Sequence, residues 1–315
     1  MNKLKFFIQA WKQTKKIDGI RIFIYFKIIY LRIIEGVSLE EFLFYDFYRK
    51  NKKDREKFVL GKENSINIDK FNDPNYIHIL NDKDVFNNMF ERYIGRDYLN
   101  VTKSSFNEYL QFIYKHRKII IKPLNANRGL GIKVLDIEQD EDIITLEYFE
   151  DLKKSNVLIE NYITNHEKLA IFNKSSLNTI RVYTLLRDNN VNIISAVLRT
   201  GRKNSSIDNF HAGGVAASID INSGIINSEG KDWPNNNKYD FHPDSNIKFK
   251  GTIIPKWDEV ISLVKEISLL IPNLRYVAWD IAITDNNVLV IEGNVRGDKI
   301  ILQGIDLVGK RHRFK

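Results

Sequence analysis

The sequence of 315 residues contains no cysteine. Disulfide bridges, thiolate zinc sites and a cysteine nucleophile are therefore excluded, and the absence is consistent with a reducing compartment such as the cytoplasm. Any covalent activation must use phosphate or an oxygen nucleophile. Hydrophobic residues make up 43% and charged residues 28% of the chain. This composition predicts a globular protein with a substantial core.

No apolar run is long enough to span a bilayer. The most apolar segment, residues 19–34, is interrupted by Arg21, Lys27 and Arg32, and no signal-peptide cleavage pattern follows it. Two interpretations remain: a helix packed on the body through its apolar side, or a basic amphipathic helix on an anionic membrane. We favour packing because apolar faces are usually core. The predicted location is cytoplasmic, with attachment to the inner membrane face as the alternative.

The net charge is +8 and the isoelectric point is near 9.3. This excess favours anionic partners such as nucleic acid, acidic lipid and phosphorylated or uronic-acid sugars. No helix-turn-helix, zinc spacing or aromatic RNP pattern is present, so nucleic acid is not a predicted partner. The basic residues concentrate at the two ends of the chain, at Lys3, Lys5, Lys12, Lys15, Lys16, Arg21, Lys27 and Arg32 and at Lys310, Arg311 and Arg313.

Residues 277–294 predict two β-strands joined by a turn at residues 285–287. A three-residue turn would place Asp280 directly opposite Glu292, whereas a two-residue turn would break the pairing. Opposed like charges ~5 Å apart need a compensating cation. Asn294 adds a neutral oxygen on the same face. These hard oxygens suit Mg²⁺ or Mn²⁺, and the alternative is an exposed hairpin with solvated acids.

A second segment, residues 119–135, predicts a strand carrying Lys122, a polar loop with Gly129 and Gly131, and another strand. Glycines let backbone N–H groups approach an anion closely, and a lysine from the adjoining strand supplies charge for phosphate. No Gly-Lys-Ser/Thr follows and the continuation is strand-like, so neither the Walker loop nor the dinucleotide fingerprint fits. An ordinary hairpin turn is the alternative.

The order of these segments resembles the ATP-grasp superfamily. The Leu-Asn-Thr-Ile-Arg segment ending at Arg181 and the closing Glu-Gly-Asn at residues 292–294 look most like its sugar-transfer-associated group. The likeness extends from about residue 81 to residue 303, and the other segments that carry it are the lysine strand and glycine loop, residues 157–163, Asp208-Asn209 with Gly213-Gly214, Trp279-Asp280 and Gln303.

The resemblance implies an α+β, ATP-grasp fold, in which a small α+β lid and a larger α+β lobe grip ATP. The N-terminal region is mostly helical in this interpretation. The expected domains are residues 1–99 for that region, 100–162 for the lid and 163–315 for the large lobe with the metal site.

The resemblance also implies roles for single residues. Lys122 and Arg181 would act in catalysis, with Arg181 stabilising the transferring phosphoryl or acyl-phosphate charge. The ATP-binding candidates are Lys83 and Lys122 for the phosphates, Gly129 and Gly131 in the loop, Glu160, Asn161, Tyr162 and Ile163 in the hinge that receives adenine, and Glu167 for the ribose. The metal-binding candidates are Asp280, Glu292 and Asn294.

Two departures from the group concern the acceptor side. Amino-acid-ligating relatives carry an arginine where this chain has Ala278, and a Ser/Pro-Gly turn where it has residues 295–297. These two departures concern the arginine expected to contact the phosphoryl group and the pocket expected to bind the acceptor. The substrate candidates are Arg199, Arg202, His211 and Arg296. For the arginines the alternative is a solvated basic loop, and for His211 a structural histidine is favoured.

The implied function is an ATP- and Mg²⁺-dependent carboxylate–amine ligase acting through an acyl phosphate. Its partners would be ATP, an anionic carboxylate acceptor that is sugar-linked or an amino acid, and an amine donor, in surface polysaccharide or capsule biosynthesis. One alternative is an inactive scaffold or peripheral membrane protein of a glycan assembly complex. The other is an ATP-dependent phosphotransferase to a hydroxyl.

The periodicity of apolar residues, together with residues typical of helix caps and turns, predicts the remaining elements. Residues 1–60 are expected to be mostly helical, with a cap at Ser38, and residues 61–75 to form a polar connection. Further helices are expected at residues 82–93, 104–117 and 256–271, strands at 182–186, 191–199 and 215–221, and a surface loop at 232–240.

Overall fold

The computed structural model describes residues 3–17, 19–124 and 131–315. The chain forms two compact units, one comprising Met1–Lys70 with Asp298–Lys315 and the other Phe71–Gly297. These boundaries differ from the predicted domains because the C-terminal segment belongs with the N-terminal helices.

The first unit is helical, as the N-terminal sequence predicts. The Ser38 hydroxyl accepts from the Glu41 N–H at 3.2 Å and the Glu41 carboxylate accepts from the Ser38 N–H at 2.7 Å, which confirms the predicted cap. Its helices are α1 (Lys3–Gln13), α2 (Arg21–Ile34), α3 (Leu39–Phe44), α4 (Lys52–Arg55), α5 (Gly61–Phe71), which crosses into the second unit, and the C-terminal α13 (Lys299–Gly304).

The polar connection predicted at residues 61–75 is wrong, because α5 occupies most of it. The helix buries Asn64, Asn67, Ile68 and Phe71. Their spacing of three and four residues defines one helical face. Two members of that face are asparagines, so a search for apolar periodicity could not detect it.

Gln303 ties α13 into the first unit. Its amide oxygen accepts from the N–H groups of Val59 at 3.1 Å and Lys310 at 3.2 Å. Its amide nitrogen donates to the Val59 carbonyl at 2.6 Å and the Tyr45 hydroxyl at 3.1 Å. A fully buried amide with this many partners has a structural role.

Helix α2 packs through the apolar side formed by Ile24, Ile28 and Leu31, which are all buried. Their spacing of four and three residues places them on one face. The favoured interpretation of this segment as a packed helix is therefore confirmed. None of the helices in the described part of the chain is long and apolar enough to cross a membrane.

In the second unit, a four-stranded antiparallel sheet has the order β1-β4-β2-β3. Tyr109, Ile121, Phe149 and Ile159 belong to the apolar core around it. The strands are β1 (Tyr98–Asn100), β2 (Lys118–Pro123), β3 (Lys133–Asp136) and β4 (Val157–Asn161), and the helices of this region are α9 (Phe106–His116) and α10 (Leu146–Lys154).

A seven-stranded antiparallel sheet has the order β11-β10-β5-β6-β7-β8-β9. Its strands are β5 (Thr179–Arg187), β6 (Asn190–Thr200), β7 (Val215–Ile219), β8 (Gly230–Asp232), β9 (Lys238–Tyr239), β10 (Tyr276–Ile283) and β11 (Val288–Asn294). The strands predicted at residues 182–186, 191–199 and 215–221 are confirmed. The surface loop predicted at residues 232–240 is confirmed for residues 233–237, which connect β8 to β9 and are largely exposed, but Asp232 and residues 238–239 belong to the two short strands.

The remaining helices of the second unit are α6 (His78–Asn81), α7 (Lys83–Met89), α8 (Glu91–Ile94), α11 (Glu167–Ala170) and α12 (Trp257–Leu270). Helix α7 and helix α8 confirm the helical block predicted at residues 82–93, and α12 confirms the helix predicted at 256–271. Asp82 caps α7 by accepting from the N–H groups of Asp84 and Val85. The cap places Lys83 at the first helical position.

Gly95 ends α8 in the left-handed conformation, with φ +52°. A Cβ atom here would also overlap Cδ2 of Leu289. We expect Gly95→Ala to lower the free energy of unfolding by more than the ~1–2 kcal/mol of left-handed strain alone. Urea denaturation measures this loss.

Leu289→Ala provides the control for that contact. In the double variant the overlap disappears, so the two losses of stability should sum to more than the loss in the double variant. Strictly additive losses would show that Leu289 does not limit the substitution.

Candidate functional site

The hairpin of β10 and β11 places Asp280 opposite Glu292, as predicted. The predicted three-residue turn is wrong. Ile283 pairs with Val288 and the Thr284 N–H donates to the Asn287 carbonyl at 2.9 Å, so only residues 285 and 286 form the tip. A bulge then shifts the register by one residue between Ile281 and Asp280. The bulge restores the pairing that a two-residue turn alone would have broken.

Asp280 is buried and held by two guanidinium groups. Arg181 lies opposite it on β5 and binds both carboxylate oxygens, through Nε and Nη2, at 2.7 Å each. Arg199 on β6 donates to Oδ2 at 3.0 Å. Burial alone would raise the pKa of Asp280, but these two positive charges hold it far below its usual range. Asp280 is therefore ionised at neutral pH.

The network continues from Arg199 to Asp208. Arg199 Nη2 donates to Asp208 Oδ1 at 2.7 Å, and Asp208 accepts from both the N–H and the hydroxyl of Thr179. The guanidinium of Arg199 thus lies between two carboxylates. Its Nε is buried and has no hydrogen-bond partner among the described residues.

Glu292 behaves differently from Asp280, because about half of its side chain, 51%, is exposed. Asn294 Nδ2 donates to it at 3.0 Å, whereas Arg181 Nη2 lies 3.8 Å away. Partial burial, and then the negative charge of Asp280, raise the pKa of Glu292. The negative charge of Glu292 is therefore only partly compensated by its surroundings, and a cation bound here would stabilise it.

The oxygen atoms of this face fit a hard divalent cation. Ionised carboxylate oxygens offer about four lone-pair positions, and the arginines occupy three at Asp280 through the contacts above. Oδ1 of Asp280 can therefore accept one further contact, on the same face as the exposed Glu292 and the Asn294 amide oxygen. No cluster of three or more His, Cys, Asp or Glu side chains placed to hold a metal occurs in the described ranges. The candidate set is two carboxylates and one amide, which suits an ion that keeps waters and takes phosphate oxygens.

Lys122 and Glu160 meet across β2 and β4. Lys122 Nζ donates to Glu160 Oε2 at 2.5 Å, and Arg96 Nε lies 2.8 Å from the same oxygen. Asn87 approaches the other oxygen at 3.5 Å. Burial raises the pKa of Glu160, but the charges of Arg96 and Lys122 outweigh it and lower this pKa to about 2. The side chain of Glu160 is therefore committed to this ion cluster.

Arg96 joins this cluster to β11. Its Nη1 donates to the Val290 carbonyl at 2.8 Å and its Nη2 to the Ile291 carbonyl at 3.2 Å, next to Glu292. Sequence reasoning did not identify Arg96, Asn87 or Asp208 as site residues. Asp208 lies in a segment that carries the family resemblance, but Arg96 has no local motif.

Lys83 lies at the start of α7 and its Nζ donates to the carbonyls of Pro123 and Leu124 at 2.8 and 3.1 Å. Burial lowers its pKa, and the charge of Glu292 acts in the opposite direction. Lys83 is thus within electrostatic range of Lys122, Glu160 and Glu292. The lysines predicted for phosphate are therefore close to one of the carboxylates predicted for metal.

Gly131 follows the loop with φ +74°, and a Cβ there would lie 2.9 Å from Pro123 Cγ. Both features require glycine. Gly129 lies outside the described residues, so its predicted role is unchanged.

The predicted adenine hinge lies at the end of β4. The Asn161 N–H donates to the Asp97 carbonyl at 3.2 Å and the Tyr162 N–H to the Lys118 carbonyl at 3.1 Å. The Ile163 N–H has no partner in the part of the chain that the structure describes. Ile163 is therefore the hinge residue whose backbone donor is open to a ligand.

Three predicted residues are engaged elsewhere. Arg202 binds Asp244 through Nε at 2.9 Å and Nη2 at 3.2 Å. The exposed His211 ring lies 4.7 Å from the Trp233 ring. Glu167 begins α11 and its N–H donates to Asp285 at the hairpin tip.

Arg296 is exposed two residues beyond Asn294. Its neighbour Gly297 packs so closely that a Cβ would lie 2.9 Å from Ala278 Cβ. An arginine at position 278 would meet this turn. The two departures from the relatives' pattern are therefore structurally linked.

The family model described as "Sugar-transfer associated ATP-grasp" matches residues 63–314. No curated protein matches the sequence. Similar solved structures include the ATP-grasp ligase PsnB with minimal precursor, Mg and ADP, at 16% identity and TM-score 0.44, covering 72% of this chain and 54% of that one.

Two further similar structures are a D-alanine–D-alanine ligase and a D-alanyl-alanine synthetase. The Bacillus anthracis D-alanine–D-alanine ligase has 16% identity and TM-score 0.37, covering 72% of this chain and 58% of that one. D-alanyl-alanine synthetase A from Vibrio cholerae O1 biovar eltor has 12% identity and TM-score 0.45, covering 75% and 63%. The chain therefore spans roughly half to two thirds of the length of these proteins.

The first prediction from this site follows from the different environments of Asp280 and Glu292. Glu292→Gln should leave stability unchanged or raise it at pH 7, because a like charge disappears beside Asp280. Asp280→Asn should destabilise by about 3–5 kcal/mol, because it leaves Arg181 and Arg199 without their shared counter-charge. Urea denaturation of both variants without ligand measures the contrast.

The stability difference between Glu292→Gln and the wild type should depend on pH in a defined direction. The pKa of Glu292 is raised in the folded state, so its stabilising contribution is present below its unfolded value of about 4.3 and is lost as pH rises through the folded pKa. Any gain from Glu292→Gln should therefore grow with pH above about 4.3. A gain that is equal at pH 4 and pH 7 would contradict this assignment.

A separate prediction concerns Glu160. Glu160→Gln removes the counter-charge of the buried Arg96 and the partly buried Lys122 and should cost about 3–5 kcal/mol at pH 7. Because the folded pKa is about 2, the wild-type advantage should persist down to about pH 4.3 and then shrink as pH falls. Glu138→Gln is the matched control, since its pair with Arg117 is exposed, and its effect should stay within ~1 kcal/mol.

Proposed function

The chain belongs to the sugar-transfer-associated ATP-grasp family, and on this basis we propose that it is an ATP- and Mg²⁺-dependent ligase joining a carboxylate to an amine. The observation that carries the proposal is that Arg96 joins Glu160, the partner of Lys122, to the β11 carbonyls next to Glu292. ATP bound with Mg²⁺ needs cations for its phosphates and carboxylates for its metal in one place. This site has both.

In the proposed reaction, an oxygen of the acceptor carboxylate attacks the γ-phosphorus of ATP, and ADP leaves. The amine nitrogen then attacks the carbonyl carbon of the acyl phosphate. Phosphate departs with the C–O electron pair and the amine loses a proton, which leaves an amide. The chain has no cysteine on which a thioester could form.

The protein's contribution is positioning and charge. The hinge donor of Ile163 suits the adenine edge, while Lys83 and Lys122 suit the phosphate oxygens. Asp280, Glu292 and Asn294 would hold Mg²⁺, which neutralises phosphate charge when bound. Arg181 and Arg199 remain beside them. The buried Nε of Arg199, which has no hydrogen-bond partner within residues 3–17, 19–124 and 131–315, is a donor suited to an anionic oxygen of phosphate or acceptor.

The proposed acceptor is a uronic-acid or amino-acid carboxylate of a sugar-linked substrate in surface polysaccharide assembly. The family description, which associates these proteins with sugar transfer, supports a sugar-linked acceptor. The exposed Arg296 beside the metal face, and more remotely Arg202 and His211, remain the candidates for acceptor contacts.

ADP release tests the proposal. Purified protein should release ADP from Mg·ATP only with an acceptor carboxylate, and hydroxylamine should trap the acyl phosphate as a hydroxamate. ADP release with sugars that lack a carboxylate, without hydroxamate, would instead identify a phosphotransferase. No turnover with any acceptor, despite nucleotide binding, would identify a scaffold.

Nucleotide binding has its own prediction. A hundredfold excess of Mg·ATP over its Kd should stabilise the wild type by ~2.7 kcal/mol. Lys122→Ala should lose most of this shift while remaining folded, since Arg96 still neutralises Glu160. Lys154→Ala, which removes an exposed lysine of α10, should keep the full shift. A wild type that shows no shift would contradict the proposed function.

A further inference from the structure

Helix α2 has a second apolar face that the first unit does not cover. Phe23, Phe26, Tyr30 and Ile33 are 68%, 60%, 57% and 72% exposed. Their spacing of three and four residues places them on one side of the helix, away from the buried Ile24, Ile28 and Leu31. A packed helix normally exposes polar residues on its outer side. The outer side of α2 is as apolar as its inner side.

Helix α1 extends this surface. Trp11 contacts Tyr25 with ring centroids 5.5 Å apart, and the Arg32 guanidinium lies 5.8 Å from the Phe6 ring. These contacts make α1 antiparallel to α2. Phe7, Ile8 and Trp11 are 40%, 48% and 42% exposed. We call the exposed apolar residues of the two helices the hairpin face.

Positive charge is concentrated in the same part of the chain. Residues 1–34 contain eight Lys and Arg and one acidic residue, Asp18. The whole first unit contains 21 Lys and Arg against 11 Asp and Glu, a net charge of +10. The second unit contains the remaining 27 and 29, a net charge of −2. The excess of positive charge therefore belongs to the unit that carries the hairpin face.

From these observations we infer that the hairpin face docks the protein on an anionic lipid membrane. Aromatic and branched apolar residues enter the boundary between headgroups and acyl chains, and neighbouring lysines bind acidic headgroups. A second copy of this chain would bring two units of net charge +10 together, which disfavours a self-complementary contact. Nucleic acid would satisfy the charge but not the aliphatic surface.

The geometry fits a helix that lies on the membrane. Helix α2 has 14 residues, which corresponds to roughly 21 Å at ~1.5 Å per residue. The hydrocarbon core is ~30 Å thick. With its inner side packed on the protein and its outer side in the lipid boundary, α2 uses both apolar faces without crossing the bilayer. The two interpretations of the sequence are therefore compatible.

The test is co-flotation of the full chain with vesicles. We expect binding to vesicles of phosphatidylglycerol and phosphatidylcholine in equal amounts. Binding to phosphatidylcholine alone should be at least tenfold weaker, since basic residues near the surface are attracted to anionic headgroups. Molar salt, with a Debye length of ~3 Å, should reduce the difference between the two. Equal binding to both kinds of vesicle at low salt would show that lysines of the first unit do not bind acidic headgroups, and would overturn the inferred docking on an anionic membrane.

Substitutions separate the apolar from the electrostatic contribution. Phe23→Ser with Phe26→Ser should weaken binding about 100-fold, since both rings leave the lipid boundary. The matched control, Phe241→Ser with Ile253→Ser, removes two exposed apolar side chains of the second unit and should bind normally. The triple variant Lys5→Glu, Lys12→Glu and Lys15→Glu should lose the preference for anionic vesicles. Thermal unfolding verifies that each variant folds.

Trp11 supplies a direct readout of depth. Lipids brominated on their acyl chains should quench its fluorescence in bound wild type, and Trp11→Phe should lose that quenching while still binding. The inference is overturned if the wild type ignores anionic vesicles, if the serine pair binds like its control, or if the hairpin face instead mediates self-association in sedimentation velocity. None of these readouts depends on catalysis.

Discussion

The buried charge of Asp280 constrains four neighbouring strands. It lies opposite Glu292 on β11 and Arg181 on β5, and it also binds Arg199 on β6. A buried carboxylate without partners would be strongly destabilising. A slip of one residue in any of these strand pairings turns a partner to the other face of the sheet. The ion cluster therefore specifies the register of the sheet as well as the chemistry of its surface.

The pairing of Asp280 with Glu292 was predictable from strand spacing, but the expected route to it was wrong. A two-residue turn and a bulge at residue 291 together give the same pairing of Asp280 with Glu292 that a three-residue turn without a bulge would give. Bulges have weak local signals, and only the sum of turn and bulge fixes which side chains face each other. The family resemblance identified the same pair of residues from the order of the motifs along the chain. That identification does not depend on the length of the turn between β10 and β11.

Other parts of the site could not be predicted from spacing. Arg96 meets Glu160 and the carbonyl of Ile291 across 64 and 195 positions of sequence, and no helix or strand periodicity connects such residues. Helix α5 was missed because asparagines occupy its buried face. The helical N-terminal region, the strands of the large sheet and α12 were predictable because their apolar residues follow a regular period.

Arg96 also has a mechanical consequence. One guanidinium joins Glu160 at the end of the small sheet to two carbonyl groups of β11 in the large sheet. Because the guanidinium is planar and rigid, it holds these partners at fixed distances. We expect any rotation of the small sheet to turn about this side chain, with a larger displacement at the edge strand β3 than at β4, which carries Glu160. Such a rotation would move β3 while the cluster of Glu160 stays in register.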